Sequence, residues 1–360
     1  PKCICISEIA RQEIEMTLPN ANRPNANRQV VLRARPDAGV TADLFETIEA
    51  PMPEAGPGEV LIRSIWFSVD PAMRGWIAEA ANYQEPVPIG GVMQSFTVGE
   101  VMASNHPDYA VGDLVQGRQG WQQFAVSDGS NIDRKLDPRR APISTALHVL
   151  GINGITAWAG LVDVCDPKPG ETVLVTTAAG GVGSSVGQIA KIKGCRAVGI
   201  TGSDDKGRMC LEEYGFDAAI NYKTVPDLGK ALAEACPDGI DCFFDNVGGA
   251  QFDAAMELLN PHARIAICGT ISMPSFPIPN GPRVNRTLLV KRARIQGFLL
   301  FDYVDRFASI VEELTGWLAD GRLKYREDVI DGIEGAPEAL VRLLAGENQG
   351  KQLVRVGADP

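Results

Sequence analysis

A glycine-rich turn between an apolar run and a helical pattern constrains the fold most. Residues 171–178 read ETVLVTTA, which is typical of a strand buried on both faces of a sheet. This run leads through Gly180, Gly181, Val182 and Gly183 into the helical pattern SVGQIAKIK. Between a strand and a helix, such glycines let the backbone approach a pyrophosphate at the positive end of the helix. The turn therefore predicts a dinucleotide site in an α/β domain.

Predicted strands and helices alternate downstream of this turn. Strand patterns occur in CRAVGIT, AAINY, IDCFFDN, ARIAICG and ARIQGFLL, and helical patterns separate the first four. Alternation of this kind is typical of the doubly wound parallel sheet of the Rossmann type. The fold class predicted for this part of the chain is therefore α/β.

The length of the chain and its change in texture predict two domains. A chain of 360 residues is too long for one hydrophobic core. Residues 29–148 carry short strand patterns with proline and glycine turns, so we expect a mainly β domain there. The α/β domain is predicted over residues 149–315, and residues 316–360 are expected to complete the mainly β domain. Residues 1–28 are polar and rich in Asn and Pro, which predicts a disordered extension.

The end of the second predicted strand selects the cofactor. NAD-dependent enzymes usually place Asp or Glu there to bind the ribose 2′-hydroxyl. Here the strand ends at Gly202 and Ser203, and Lys206 follows at the start of the next helix. Gly202 leaves room for a 2′-phosphate, Ser203 can donate a hydrogen bond to it, and Lys206 can pair with it. We therefore predict NADP(H) as the cofactor, with Asp204 and Asp205 as helix caps.

Composition restricts the partners and the location. The net charge is −11, which argues against nucleic acid because phosphate contacts need a basic face. No apolar run has the length of a membrane span, and the N-terminal segment lacks a signal pattern, so a cytoplasmic location is the default prediction. The eight cysteines form no CxxC pair, and we interpret those in apolar runs as small buried residues in a reducing compartment.

The sequence lacks the ligands of a catalytic zinc site. No cysteine lies between Cys5 and Cys165, and the only histidines are His106, His148 and His262. We therefore predict no metal, and we interpret the histidines as structural. Without a Lewis acid, hydride transfer to a conjugated C=C bond is easier than transfer to an isolated ketone, because the charge delocalises onto oxygen.

Taken together, the motifs resemble one family. The matching stretches, from about residue 29 to 356, are SVDPAMRGW, GITAW, AAGGVGSSVGQIAK, GSDDK, INYKT, FDNVGG, AICGTIS, RIQGF and GENQGKQLV. They resemble the zinc-independent branch of the medium-chain dehydrogenase/reductase superfamily. Within it, they resemble the group of prostaglandin reductase (leukotriene hydroxydehydrogenase), plant alkenal double-bond reductases and bacterial curcumin reductase.

The resemblance implies a GroES-like substrate domain and a Rossmann domain that binds NADPH in the cleft between them. It also implies a small conjugated carbonyl substrate and a homodimer. Carried over position by position, it implies four groups of cofactor contacts: the pyrophosphate on Gly180, Gly181, Val182 and Gly183; the 2′-phosphate on Gly202, Ser203, Lys206 and Tyr222; the nicotinamide beside Cys268, Gly269, Thr270, Phe298 and Leu299; and further contacts from Asn246 and Asn348.

The chain departs from this group where a proton donor is expected. The tyrosine positions of the group correspond to Ala72 and Val290. Tyr83 and Tyr303 remain as candidate donors, and the cofactor ribose with water is the alternative. Asp70 and Arg74 are expected to form a structural pair at the base of the cleft.

These observations predict an NADPH-dependent oxidoreductase that reduces the C=C bond of α,β-unsaturated ketones or aldehydes by hydride transfer to the β carbon. Two alternatives remain open. One is an NADPH quinone reductase of the same superfamily, and the other is a catalytically silent NADPH-binding protein.

Overall fold

The computed structural model describes residues 26–79, 84–273 and 281–360. The first part of this chain is built mainly from strands. They are β1 (Ala26–Leu32), β2 (Phe45–Pro51), β3 (Val60–Ser68), β4 (Thr97–Ser104), β5 (Leu114–Gly117), β6 (Phe124–Ser127) and β7 (Ile132–Leu136), and one helical turn, α1 (Met73–Trp76), follows β3. Strand β1 begins inside the segment that was predicted to be a disordered extension. The reason is its antiparallel pairing with β2, which already starts at Ala26 opposite Pro51.

The second part alternates strands and helices, as the sequence predicts. Its elements are α2 (Ile152–Trp158), β8 (Thr172–Thr176), α3 (Gly181–Ile192), β9 (Arg196–Thr201), α4 (Asp204–Arg208), β10 (Ala218–Asn221), α5 (Leu228–Ala235), β11 (Ile240–Asp245), α6 (Gly249–Met256), β12 (Leu259–Ile267), α7 (Asn285–Lys291), β13 (Arg294–Gly297) and α8 (Phe307–Ala319). The six strands form one parallel sheet in the order β10-β9-β8-β11-β12-β13. This is the doubly wound order, whose switch point lies between β8 and β11.

Burial on both faces explains why β8 reads as a continuous apolar run. Val173 and Val175 belong to the core on one face of the sheet, and Leu174 belongs to the core on the other. All five residues of the strand are buried. Helix α3 lies close to the sheet because Gly187 has no side chain, and a Cβ atom there would be only 1.9 Å from Cζ of Phe216.

The remaining elements return to the first sheet. They are β14 (Glu327–Asp331), α9 (Ala336–Ala345) and β15 (Lys351–Arg355). Strand β15 pairs in parallel with β14 and antiparallel with β3, so the second sheet has the order β14-β15-β3-β4-β5-β7, with β6 also paired to β3. The core of this domain includes residues from β3, β15 and α9. Among the helices of the described residues, none is both long and apolar enough to cross a membrane.

Candidate active site

A large cleft separates the two domains at the carboxyl ends of the parallel strands. Its volume is about 1410 Å³. The nucleotide-binding wall includes residues that follow β8, β9, β11 and β12, and the opposite wall includes residues 69–72 after β3 and 350–352 at the start of β15. Ligands of doubly wound proteins bind outside the carboxyl ends of the strands at the switch point, which is where this cleft lies. The following described residues among the predicted cofactor contacts line it: Gly180, Gly181, Val182, Gly202, Lys206, Tyr222, Asn246, Cys268, Gly269, Thr270, Phe298, Leu299 and Asn348.

The turn between β8 and α3 fits a pyrophosphate. Thr177 adopts a positive φ of 52°, and the carbonyl of Thr177 accepts a hydrogen bond from the amide of Gly180. A Cβ atom at Gly183 would lie 2.3 Å from the Thr177 carbonyl oxygen, so this glycine holds the helix against the strand rather than lining the cleft. Gly180 and Gly181 instead face the cleft at the N-terminus of the 12-residue helix α3. A helix N-terminus with an open glycine backbone is suited to an anion.

The end of β9 forms a basic pocket that fits a 2′-phosphate. Gly202 lies directly against the side chains of this pocket, because a Cβ atom there would be in van der Waals contact, at 3.6 Å, with Cε of Lys223 and with Cε1 of Tyr222. Lys206, Tyr222 and Lys223 all line the cleft beside it. Burial and the charge of Lys223 lower the pKa of Lys206, which indicates that the two ammonium groups share one pocket. Asp328 acts on Lys206 in the opposite direction, but among the described residues neither lysine forms an ion pair, and two such cations at this strand end favour a phosphorylated ribose.

Two predictions about this pocket need refinement. The Nζ of Lys206 donates to the carbonyl of Gly346 across the cleft at 2.6 Å, so it already links the two domains. The hydroxyl of Ser203 accepts from the amide of Lys206 and caps helix α4, and Ser203 is not among the described residues that line the cleft. Lys223 was not singled out from the sequence, although its position in NYKT, directly after Tyr222, is the signal that could have identified it.

The opposite end of the cleft fits a nicotinamide ring. The amide of Asn246 donates to the Thr176 hydroxyl at 2.7 Å, and its side-chain amide donates to the Thr176 carbonyl at 2.8 Å, so Asn246 is fixed at the switch point. Cys268, Gly269 and Thr270 continue this wall after β12. The side chain of Asn348, in contrast, donates to the Gly350 carbonyl at 2.7 Å and shapes its own loop at the cleft edge.

The structure does not bring Tyr303 to the cleft. Its hydroxyl donates to Oδ2 of Asp163 at 3.0 Å, its ring contacts Phe298 edge-on, and burial together with Asp163 raises its pKa to about 12. It is not among the described residues that line the cavity. Tyr83, the other candidate donor, lies outside the described residues. Of the two positions where the family resemblance implies a tyrosine, Ala72 lines the cleft, whereas Val290 is 52% exposed on α7.

The expected pair of Asp70 and Arg74 is wrong. Asp70 accepts instead from the buried ammonium of Lys351 at 2.5 Å. Arg74 donates to the carbonyls of Ile271 and Met273 at 2.7 and 3.2 Å, and so joins the β domain to the loop after β12. The ion pair of Asp70 and Lys351 was missed in the sequence because these two residues meet only when β15 pairs with β3.

Metal ligands do not converge in the part of the chain that the structure describes, where no group of three or more His, Cys, Asp or Glu side chains could hold an ion. His148 is buried, and neither ring nitrogen has a hydrogen-bond partner. Burial, with the positive charge of Lys351 as a further cause, lowers the pKa of His148 to about 3, so the ring is neutral.

A doubly wound domain with a basic dinucleotide cleft, facing a mainly β domain, defines a two-domain nucleotide-dependent oxidoreductase. A family described as "N-terminal domain of oxidoreductase" matches residues 28–134, and one described as "Zinc-binding dehydrogenase" matches residues 181–316. The chain belongs to the NADP-dependent medium-chain dehydrogenase/reductase family, and the predicted family and fold class are confirmed.

Three similar proteins give the most detail. NADPH-dependent curcumin reductase of Escherichia coli is 42% identical over 92% of this chain and 98% of its own length. The NADP(+)-dependent 2-alkenal reductase of Nicotiana tabacum is 39% identical over 87% of this chain and 91% of its own. The structure of CurA from Vibrio vulnificus in complex with NADPH superposes with a TM-score of 0.87 at 43% identity, and covers 92% of this chain and 100% of that one.

Proposed function

We propose that this protein is an NADPH-dependent reductase of the C=C bond of α,β-unsaturated ketones or aldehydes. The observation that carries the proposal is one continuous cleft. It has a pyrophosphate turn at Gly180 and Gly181, a basic pocket at Lys206 and Lys223, and a second wall from the other domain. The similarity to curcumin reductase and 2-alkenal reductase supports the C=C bond as the reacting group.

The chain's own residues bind and orient the reactants. When bound, the cofactor supplies a hydride from its reduced nicotinamide. The N-terminus of α3 would bind the pyrophosphate, and Lys206, Lys223 and Tyr222 would hold the 2′-phosphate. Phe298 and Leu299 border the cleft on one side and Trp76 and Phe96 on the other, so an apolar acceptor is bound with little water around it.

The test is NADPH oxidation with a panel of acceptors, followed by identification of the products. An enal, an enone, the matching saturated ketone and a quinone are supplied to the purified protein. We expect the enal and enone to be reduced to the saturated carbonyl compounds, with no turnover of the saturated ketone. Turnover of the quinone alone would favour the quinone reductase, and NADPH binding without any turnover would favour the silent binding protein.

We also propose a homodimer formed through the free edge of the parallel sheet. Strand β13 pairs only with β12 among the described strands. Beside it, α7 and the segment after β13 expose a group of apolar side chains: Leu289, Val290, Leu299, Phe301 and Val304. Two-fold pairing of β13 would continue the sheet and cover these side chains. Light scattering tests the proposal: Leu289→Glu is expected to give monomers, whereas Leu211→Glu on another surface should leave the dimer intact.

A cytoplasmic location completes the proposal. Its support is chemical: the described cysteines, Cys165, Cys195, Cys210, Cys236, Cys242 and Cys268, are all free thiols. Free thiols persist in a reducing compartment. Fractionation of the native host cells checks this, and recovery outside the cytoplasm would contradict it.

A further inference from the structure

Three ionisable side chains form a row across the β domain at the floor of the cleft. In the parallel pair of β14 and β15, Glu327 lies directly opposite Lys351. In the antiparallel pair of β15 and β3, Leu353 lies opposite Ser68. Two residues after Ser68 and two residues before Leu353, the same antiparallel register brings Asp70 opposite Lys351, and the two side chains form an ion pair. The order of the row is therefore acid, lysine, acid.

Lys351 is the centre of this row and is held in one orientation. Its side chain is 3% exposed, and its ammonium donates to the Val69 carbonyl at 2.7 Å and to Oδ1 of Asp70 at 2.5 Å. The hydroxyl of Ser68 donates to the other oxygen of Asp70. A lysine ammonium has three N–H donors, so one is left over from these two bonds. Both Asp70 and Lys351 line the cleft.

Glu327 completes the row on the side away from Asp70. One of its oxygens accepts from the Ser144 hydroxyl at 3.0 Å, and the other is buried with no partner. Burial raises the pKa of Glu327 to about 7, and the nearby Asp359 acts in the same direction, whereas Lys351 opposes the shift. Tyr325 and the neutral ring of His148 face the same space. The raised pKa favours the protonated carboxyl of Glu327, which is next to Lys351 by strand register and makes no direct hydrogen bond to it.

Among the described residues, several other candidate groups in or near the cleft are poorly suited to supply a proton to a reduced substrate. Lys206 and Lys223 belong to the 2′-phosphate end. Burial raises the pKa of the Cys268 thiol to about 12. The Tyr303 hydroxyl lies outside the cleft lining and donates to Asp163. Burial of an ion pair costs desolvation energy, and buried ionisable groups that line a cleft are candidates for a functional role, which makes Lys351 the stronger candidate.

We propose that Lys351 is the proton donor of the reaction, with Asp70 as its positioning residue and Glu327 as the acid that restores its proton. The inference rests on the proposed reduction of conjugated carbonyl compounds. The substrate gains a hydride at the β carbon and its C=C π electrons move towards the carbonyl oxygen. The ammonium of Lys351 then gives one proton to the α carbon and is left as a neutral amine. The amine regains a proton from Glu327, and Glu327 takes one from water, so that enone, NADPH and one proton give the saturated ketone and NADP⁺.

The first experiment replaces the donor. Lys351→Met is compared with Lys168→Met, a surface lysine in the loop before β8, and the double variant Asp70→Asn/Lys351→Met removes both charges together in case a lone Asp70 prevents folding. For both Lys351 variants we expect kcat for an enone to fall by about 100-fold or more, as is typical for loss of a general acid. The dissociation constant of NADPH, measured by fluorescence without an acceptor, should change by less than about threefold. Lys351→Ala should be partly rescued by added ethylammonium.

The second experiment follows the proton itself. In wild-type protein we expect kcat to decrease as the pH rises through about 7, the pKa of Glu327, and Glu327→Gln should remove this decrease while lowering kcat. An independent readout needs no cofactor: an NMR titration of ¹³Cε-labelled lysines should show one resonance, absent from Lys351→Met, that titrates below the surface lysines, because burial lowers the pKa of Lys351.

The outcomes separate the two levels of the proposal. Wild-type protein that turns over no acceptor would overturn the proposed function and this inference with it. Active wild-type protein whose Lys351→Met variant keeps its kcat would overturn the inference alone. A Lys351→Met variant that loses NADPH affinity as strongly as kcat would also overturn the inference, because Lys351 would then serve dinucleotide binding. A Lys351 resonance that titrates with the surface lysines would overturn it as well.

Discussion

Replacement of Lys206 by Ala offers a direct test of cofactor selection. The Lys206 ammonium donates a hydrogen bond of 2.6 Å to the Gly346 carbonyl, and this contact does not depend on which dinucleotide is bound. The Lys206 side chain lines the same pocket as Lys223 and Gly202. Loss of the Gly346 contact should weaken NADH and NADPH binding equally. Loss of a partner of the 2′-phosphate should weaken NADPH binding alone.

The expected magnitude follows from this difference. A hydrogen bond to a charged group contributes about 1.5–3 kcal/mol, so the preference for NADPH over NADH should fall by roughly 10- to 150-fold in Lys206→Ala. Lys223 is exposed, and an exposed ion pair contributes at most about 1 kcal/mol, so Lys223→Ala should reduce the preference only about fivefold. Lys230, which is 81% exposed on α5, provides the matched control.

The assay is titration calorimetry with each cofactor at one fixed ionic strength, since salt screens the phosphate interaction. The measured quantity is the ratio of the two dissociation constants in each variant. Equal losses for NADH and NADPH in Lys206→Ala would refute the assignment of Lys206 to the 2′-phosphate. Lys206 would then serve only as a contact between the two domains.

Three further predictions concern the packing and titration of the chain. Gly187→Ala should lower the free energy of unfolding by about 1–3 kcal/mol, because its methyl group would lie 1.9 Å from Cζ of Phe216. The control is Gly316→Ala, in open space on α8. Equal melting temperatures of the Gly187→Ala variant and the wild type would contradict the close packing at Gly187. Because the pKa of Glu327 is raised from 4.5 to about 7, the folded state binds the carboxyl proton more tightly than the unfolded state does. The free energy of unfolding should therefore fall by up to about 3 kcal/mol as the pH rises from 4.5 to above 7. Denaturant titrations should show that this loss is abolished in Glu327→Gln. Tyr303→Phe should leave kcat within about threefold of wild type, since its hydroxyl is bound to Asp163, and a large loss would restore Tyr303 as a donor.

Much of the nucleotide domain was predictable because its signals are local. The apolar run of β8, the glycines of the turn and the pattern of α3 are contiguous in sequence, and each constrains the backbone by itself. Helix α7 was not predicted. Its sequence NRTLLVK is short, follows a segment rich in proline and glycine, and buries none of its residues, so it carries no amphipathic pattern.

The side-chain partners in the cleft were less predictable. Asp70 and Lys351 are 281 positions apart in sequence, and only the register of β15 against β3 brings them together. Tyr303 was named as a candidate donor, but the direction of its side chain depends on Asp163, which lies 140 positions earlier in the sequence. Motif positions thus predict where a backbone passes, whereas long-range pairing decides which atoms meet.

The insertion of β15 between β14 and β3 has a consequence for biogenesis. Every strand of the parallel sheet lies within residues 172–297, so that sheet can form while later residues are still being synthesised. The other domain must wait for residues 351–355, which occupy an interior position in its sheet. Until then β6 pairs with the first half of β3, but residues 66–68 at its end lack their partner and Asp70 lacks its counter-ion. The incomplete domain therefore exposes an open strand edge, which is prone to mispairing.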